Sequence, residues 1–178
     1  AAVTAPIMGK LEWKAAADVP ELLAAPVRDA LGNILAYAAP IDAELADTAA
    51  FCAEYDVPMA ASANCVIVLG KRAGEESHAA VLVLATDRAD VNGVIRKHLG
   101  VRKISFAAQD DAVGRTGMEY GGITPIGLPA DWPILVDEAV VRAGQVVIGS
   151  GIRGSKIVVD ANELARLPSA TVLDLAQH

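Results

Sequence analysis

The sequence has few of the residue types that carry common chemistries. Only Cys52 and Cys65 occur in 178 residues, which excludes a disulfide framework and a paired-cysteine metal knuckle. The three histidines, His78, His98 and His178, have no neighbours at metal-ligand spacing; His78 and His178 read as surface residues and His98 as part of a basic helix end. No Ser-His-Asp or Cys-His set can be assembled. No metal or other cofactor is expected. No uninterrupted apolar run reaches the roughly 18 residues of a membrane span, and the first residues lack the basic and apolar regions of a signal peptide. A cytoplasmic protein without membrane contact is therefore expected. Repeats, low-complexity tracts and linkers are also missing.

Positive charge is the other shortage. Fifteen Lys/Arg face 22 Asp/Glu, a net charge of −7, which suits a general nucleic-acid binder poorly and argues against DNA as a partner. The exception is "RKHLGVRK", where Arg96, Lys97, Arg102 and Lys103 cluster around His98. The cluster reads either as a solvated helix end favoured by the macrodipole or as an anion-facing patch on an acidic protein.

What is present is an apolar chain of 53% hydrophobic residues, long enough to bury a real core in one domain. The segment from Pro20 predicts a helix with Leu22, Leu23, Val27, Ala30 and Leu31 on one face, ended by Gly32. "NILAYAA" predicts a strand, and "DAELADTAAFCAEYD" a helix that buries Cys52 as a core residue. The runs Cys65–Leu69 and Ala79–Ala85 flank a charged, glycine-containing connection, as in a β-hairpin. A helix follows over "TDRADVNGVIRKHLG", with Asp87 near its cap. "KISFAA" and "PILVD" predict strands around a short helix in "AQDDAVGRTG". Strands in "QVVIG" and "SKIVVD" precede a closing helix with Asp160 and Glu163 at capping-box spacing. Together these predict one α/β domain: a curved, mixed and largely antiparallel sheet, or a barrel-like one, with flanking helices.

Two glycine clusters stand out. Gly149, Gly151 and Gly154 spell G-x-G-x-x-G behind an apolar run, and are one transposition from a P-loop. A dinucleotide or phosphate loop needs a helix after the last glycine. Here Gly154 leads into Ser155-Lys156-Ile157-Val158-Val159, a β-branched run that favours a strand. These glycines therefore predict a hairpin with left-handed positions. The second cluster, "GRTGMEYGGITPIGLP", interleaves glycines with Pro125 and Pro129. Such a loop can let its backbone approach a ligand or present N–H groups to an anion or oxyanion; a structural double turn is the alternative.

The stretch "TGMEYGGITPIGLP" resembles the signature T-G-x-x-x-G-G-[IV]-[ST]-P-[IL]-G of the YbaK/prolyl-tRNA-synthetase-associated (INS-type) aminoacyl-tRNA editing family. "ADVNGVIRKHLGVRKISFA" resembles the helix, basic turn and strand before that signature, and "GSGIRGSKIVVDANELARL" the hairpin and final helix after it. The resemblance covers roughly Ile41 to Leu175. It implies an editing domain over residues 36–178, with residues 1–35 as a helical extension packed on it. It also implies a free-standing trans-editing hydrolase, acting on the ester of mischarged aminoacyl-tRNA, with an aminoacyl-tRNA synthetase as a further partner. Either a monomer or a homodimer fits.

The chain departs from the family at two positions. Asn64 stands where the family carries its key lysine, and Lys156 stands where many members carry an aspartate. A swap is expected: if the two sites face each other, Lys156 supplies the charge that Asn64 lacks. The alternatives are a site that binds without hydrolysing, and a solvated Lys156. Gly121, Gly122, Asn64 and Lys156 are the expected catalytic set. Thr124, Pro125, Ser150 and Arg153 are expected at the substrate, and Arg96, Lys97, Arg102 and Lys103 at the tRNA. Cys65, beside Asn64 on a strand, is expected on the opposite face and not as a nucleophile. The leading reading is a deacylase. A binding module for aminoacyl-tRNA or a synthetase, and an esterase or nucleotide binder for small molecules, are the other two.

Overall fold

A computed structural model describes residues 5–177; His178 lies outside them. Among the described residues, nine strands form two sheets. One is built from β1 (Lys14–Ala15), β2 (Ala36–Pro40), β8 (Ser155–Asp160) and β7 (Gln145–Gly149), in that order and all antiparallel. The other has the order β5 (Lys103–Phe106), β3 (Ala63–Arg72), β4 (Glu75–Leu84), β6 (Ile134–Asp137) and β9 (Ala170–Leu173). Its β4–β6 and β6–β9 pairs are parallel and the rest antiparallel. A parallel bridge between Ser62 and Val147 joins the sheets at one point; they do not close into a barrel. Six helices flank them: α1 (Ala25–Ala30), α2 (Thr48–Tyr55), α3 (Arg96–Leu99), α4 (Gln109–Thr116), α5 (Glu138–Arg142) and α6 (Ala161–Ala165). Among the described residues no helix is long and apolar enough to cross a membrane.

Period-two alternation distributes the core. Ile148, Ile157 and Val159 of the first sheet meet Ile67, Leu82 and Val136 of the second in the main core. The intervening residues Tyr37, Val147 and Val158 face the other way, under Phe51 and Cys52 of α2 and Trp13. On the far side of the second sheet Val68, Val81 and Val83 lie against Val91, Ile95 and Leu175. The β3–β4 hairpin is longer than the apolar runs suggest. Its charged residues pair as far as Arg72↔Glu75, and the turn is only Ala73-Gly74, with φ of +51° and +81°, as a two-residue hairpin of the primed type requires.

Several boundaries differ from the pattern in the sequence. The helix from Pro20 is two pieces, a 3₁₀ turn over Pro20–Leu22 and then α1. Pro26 fits a first turn but not a helix interior, and Ala24 is extended, its N–H donating to Ser150 O at 3.1 Å. Asp90, not Asp87, caps the helix before β5, accepting from the N–H groups of Gly93 and Val94, and the first turn, Val91–Ile95, is π-type. Asp160 caps α6 through the Asn162 N–H, while Glu163 pairs with Arg166 at 3.2 Å instead of closing a capping box. Helix α5 and strand β9 were not expected. His78 is a correction: it is buried, stacked on Trp132 with ring centroids 5.0 Å apart, and its Nε2 lies 2.8 Å from Asp111 of α4.

Candidate active site

The two glycine clusters meet in space. Gly149, Gly151 and Gly154 form and border the turn between β7 and β8, with Gly149 paired to Lys156 and Gly151 at φ +90°. Onto this turn docks the loop after α4. Glu119 N–H donates to Gly151 O (2.8 Å), Gly151 N–H to Gly122 O (2.7 Å), and Gly122 N–H to Glu119 O (2.9 Å). Arg153 adds two further ties, its N–H to Glu119 Oε1 at 2.7 Å and its guanidinium to Tyr120 O at 3.1 Å. The glycines permit this contact. A Cβ on Gly122 would stand 2.8 Å from Ile152 backbone atoms, and one on Gly149 would stand 2.5 Å from Gly122 O.

Beside this junction, where the start of β3 meets the end of β7, lies a cavity of about 530 Å³. Cys65, Ile67, Ala112, Ile123 and Ile148 form its apolar side. Asp47, Thr48, Asn64 and Lys156 supply charge and hydrogen bonds, and Phe106, Tyr120 and Gly121 also line it. Among the described residues, Asp47 is its only carboxylate and Lys156 its only cation.

Asn64 and Lys156 thus share one cavity. Asn64 lies two residues beyond the Ser62–Val147 bridge, and Lys156 pairs with Gly149, two residues beyond Val147. The two therefore flank Gly149 at one level. Lys156 is 8% exposed, so it is not a solvated surface lysine. Its Nζ donates to Ala46 O at 3.0 Å and lies 5.3 Å from the Phe51 ring centroid. Burial lowers its pKa below that of an ordinary lysine, and Arg153 acts the same way; Cys52 and Asp47 oppose them. Thr48 Oγ1 donates to Asn64 Oδ1 at 2.6 Å. That bond orients the amide and leaves its NH₂ without a partner among the described residues.

Neither thiol is prepared for attack. Burial raises Cys52, against the lowering effects of a Ser62 hydrogen bond and the Lys156 charge. Cys65 is half-buried as a residue, yet burial pushes its thiol up to about 12. A thiol needs a lowered pKa to act as a nucleophile. Cys65 packs against the main core, but it also contributes to the cavity wall.

The other expected site residues divide into three groups. Gly121, at φ +89°, lines the cavity, and its N–H has no hydrogen-bond partner among the described residues. Gly122 and Arg153 hold the loop on the hairpin from behind. Thr124, Pro125 and Ser150 are buried outside the lining. Ser150 Oγ lies 2.6 Å from Ser155 Oγ and so closes the turn, while Thr124 Oγ1 has no partner among the described residues. Arg96, Lys97, Arg102 and Lys103 sit at the opposite end of the second sheet. Lys103 pairs with Lys71, about 24 Å along β3 from Asn64 at the usual rise per residue. Asp47 and Thr48 were not singled out in the sequence. The only trace is a helix N-terminus at "DT", which does not say that the helix opens into a cavity.

The family described as the aminoacyl-tRNA editing domain matches residues 42–167. Among solved structures, one provisionally described as a trans-editing enzyme for prolyl tRNA synthetase aligns with a TM-score of 0.73 and 21% identity, covering 87% of this chain and 97% of its own. A hypothetical protein aligns at 0.66 and 24%, covering 78% and 86%. A protein from Marinobacter aquaeolei VT8, provisionally assigned to signal transduction, aligns at 0.56 and 18%, over 86% of this chain and 30% of that one. Identities this low speak to the shared fold.

Proposed function

The chain belongs to the aminoacyl-tRNA editing domain family, and from that membership we propose that it is a deacylase that removes wrongly attached amino acids from tRNA. The observation that carries this reading is a buried ammonium, Lys156, in a cavity beside Asn64 and an unpaired Gly121 N–H. Water adds to the ester carbonyl carbon, and the carbonyl oxygen takes up negative charge. The bond to the terminal ribose oxygen then breaks, and the proton lost by the water ends on that oxygen. The products are a free amino acid and an uncharged tRNA.

Lys156, the Asn64 NH₂ and the Gly121 N–H are the donors we assign to the oxyanion. Donors fixed before reaction need no reorganisation as the charge develops. Arg153 positions one of them. It holds the Tyr120 carbonyl, and in a trans peptide that sets the Gly121 N–H pointing the opposite way. Gly122 is a positioning residue as well, since its N–H and C=O are both engaged. Thr124, Pro125 and Ser150 support the loop and turn. Asp47 is the partner we assign to the α-ammonium of the amino acid, whose side chain enters the apolar side of the cavity. That surface suits a small, uncharged side chain. The basic residues of α3 and β5 are assigned to a more distant part of the tRNA, and work with a synthetase in the cytoplasm follows from the same reading.

The test is amino-acid release from mischarged tRNAs. Removing one oxyanion donor costs about 3 kcal/mol of barrier, a roughly 100-fold loss of rate, and Lys156→Ala should show a loss of that size. Adding Asn64→Lys should restore activity if a cation from either wall serves. Wild-type protein that binds charged tRNA but releases nothing would make it a binding module.

A further inference from the structure

We infer that Phe106 and Tyr120 form a stacking surface for the terminal nucleobase of the aminoacylated strand, an inference that rests on the deacylase reading. The chain puts its other aromatic side chains inside. Trp13, Tyr37, Phe51 and Trp132 are buried, and Tyr55 is half-buried, its hydroxyl accepting from the Asp42 N–H at 2.8 Å. Phe106 and Tyr120 are 63% and 54% exposed, and both line the same cavity. They come from separate elements, the end of edge strand β5 and the loop after α4.

Both stand on fixed backbone. Phe106 pairs with Val68, and the next residue, Ala107, donates its N–H to Ile67 O at 2.9 Å. The Tyr120 carbonyl is fixed by Arg153, and Gly121 and Glu119 on either side belong to the docked loop. Two exposed aromatic rings on fixed backbone at one cavity offer π-faces that a planar group can cover. The deacylase substrate supplies such a cover through its own covalent structure. The amino acid is esterified to the terminal ribose, which also carries the base. With the carbonyl at Lys156 and Gly121, the base must lie within one ribose of the cavity. Stacking is indifferent to base identity, which suits an enzyme that meets the same terminal nucleoside on every tRNA. Phe106 and Tyr120 are thus positioning residues that act on binding.

The experiment has two readouts on Phe106→Ala, Tyr120→Ala and the conservative Tyr120→Phe, with circular dichroism confirming the fold. The first is affinity for an uncharged CCA trinucleotide, which needs no turnover. The second is the separation of KM from kcat on an aminoacylated minihelix. Each alanine variant should weaken trinucleotide binding and raise KM by roughly 5- to 100-fold, the range of one lost base–aromatic stack. The kcat should stay within about twofold, and Tyr120→Phe should behave as wild type. Unchanged affinity in both alanine variants would overturn the inference. So would their loss of a self-association present in the wild type without any change in trinucleotide affinity, which would assign the rings to a subunit contact. If trinucleotide affinity falls in the variants while the wild type hydrolyses no charged tRNA, the stacking surface stands and the deacylase reading fails.

Discussion

Lys156 is held against its own electrostatic interest. Its ammonium is buried on a face shared with Phe51 and Cys52, where desolvation disfavours charge. The folded chain therefore binds that proton less tightly than the unfolded chain does. Stability should rise as pH climbs through the lowered pKa toward 10.5, whereas hydrolysis that uses the ammonium should fall over the same interval. Opposite slopes of melting temperature and rate against pH would identify this one group. Replacing the charge with an apolar chain of similar length separates the two effects. Lys156→Met should melt no lower than wild type, since a buried charge often costs more than it contributes, yet should lose activity about as severely as Lys156→Ala. A variant with both full activity and unchanged stability would remove Lys156 from the account.

At the level of elements, the contact between the Gly121-Gly122 loop and the β7–β8 turn decides whether the donors are in place. Gly122→Ala would drive a Cβ into Ile152 backbone atoms 2.8 Å away. We expect a stability loss of about 1–3 kcal/mol, as for overpacked sites, with activity lost through the displaced loop. Gly154→Ala meets nothing within 4 Å and should be neutral in both urea unfolding and activity. At the β3–β4 turn, Ala73 adopts φ +51°, a conformation that asparagine tolerates better than alanine; Ala73→Asn should raise stability by up to about 1 kcal/mol. These contacts were only partly legible. The β-branched run after Gly154 identified the hairpin, because local preference and final structure agree there. The break at Leu23-Ala24 has a trace in Pro26, which a helix interior disfavours, but Ser150, the partner that takes the Ala24 N–H, lies far along the chain. Helix α5 and strand β9 are a turn or so long and carry too little periodicity. His78 reads as a surface residue because its partners, Asp111 and Trp132, are distant in sequence.

For the whole molecule, a net charge of −7 must be reconciled with the polyanionic substrate proposed for it. Lys103 lies about 24 Å along β3 from Asn64 and three residues along β5 from Phe106 at the cavity, a reach that a tRNA acceptor arm covers and a single aminoacylated nucleoside does not. Charge reversal at Lys97 and Lys103 should therefore raise KM for intact tRNA and flatten its salt dependence, while leaving KM for an aminoacylated terminal nucleoside unchanged. Equal effects on both substrates would move the binding face. The family was legible from the Gly-Gly-Ile-Thr-Pro-Ile-Gly core and the order of the segments around it. The shared cavity of Asn64 and Lys156 was expected only as a condition, since strand register, which sequence does not display, determines it. We propose that this cavity hydrolyses aminoacyl esters with Lys156, across Gly149 from Asn64. The most direct measurement is amino-acid release from a panel of mischarged tRNAs by wild-type protein and by Lys156→Ala, with Lys156→Ala/Asn64→Lys alongside. Release by the wild type, a roughly 100-fold loss in Lys156→Ala and recovery in the double variant are the predicted result. Equal release by wild type and Lys156→Ala, or no release from any charged tRNA, would contradict it.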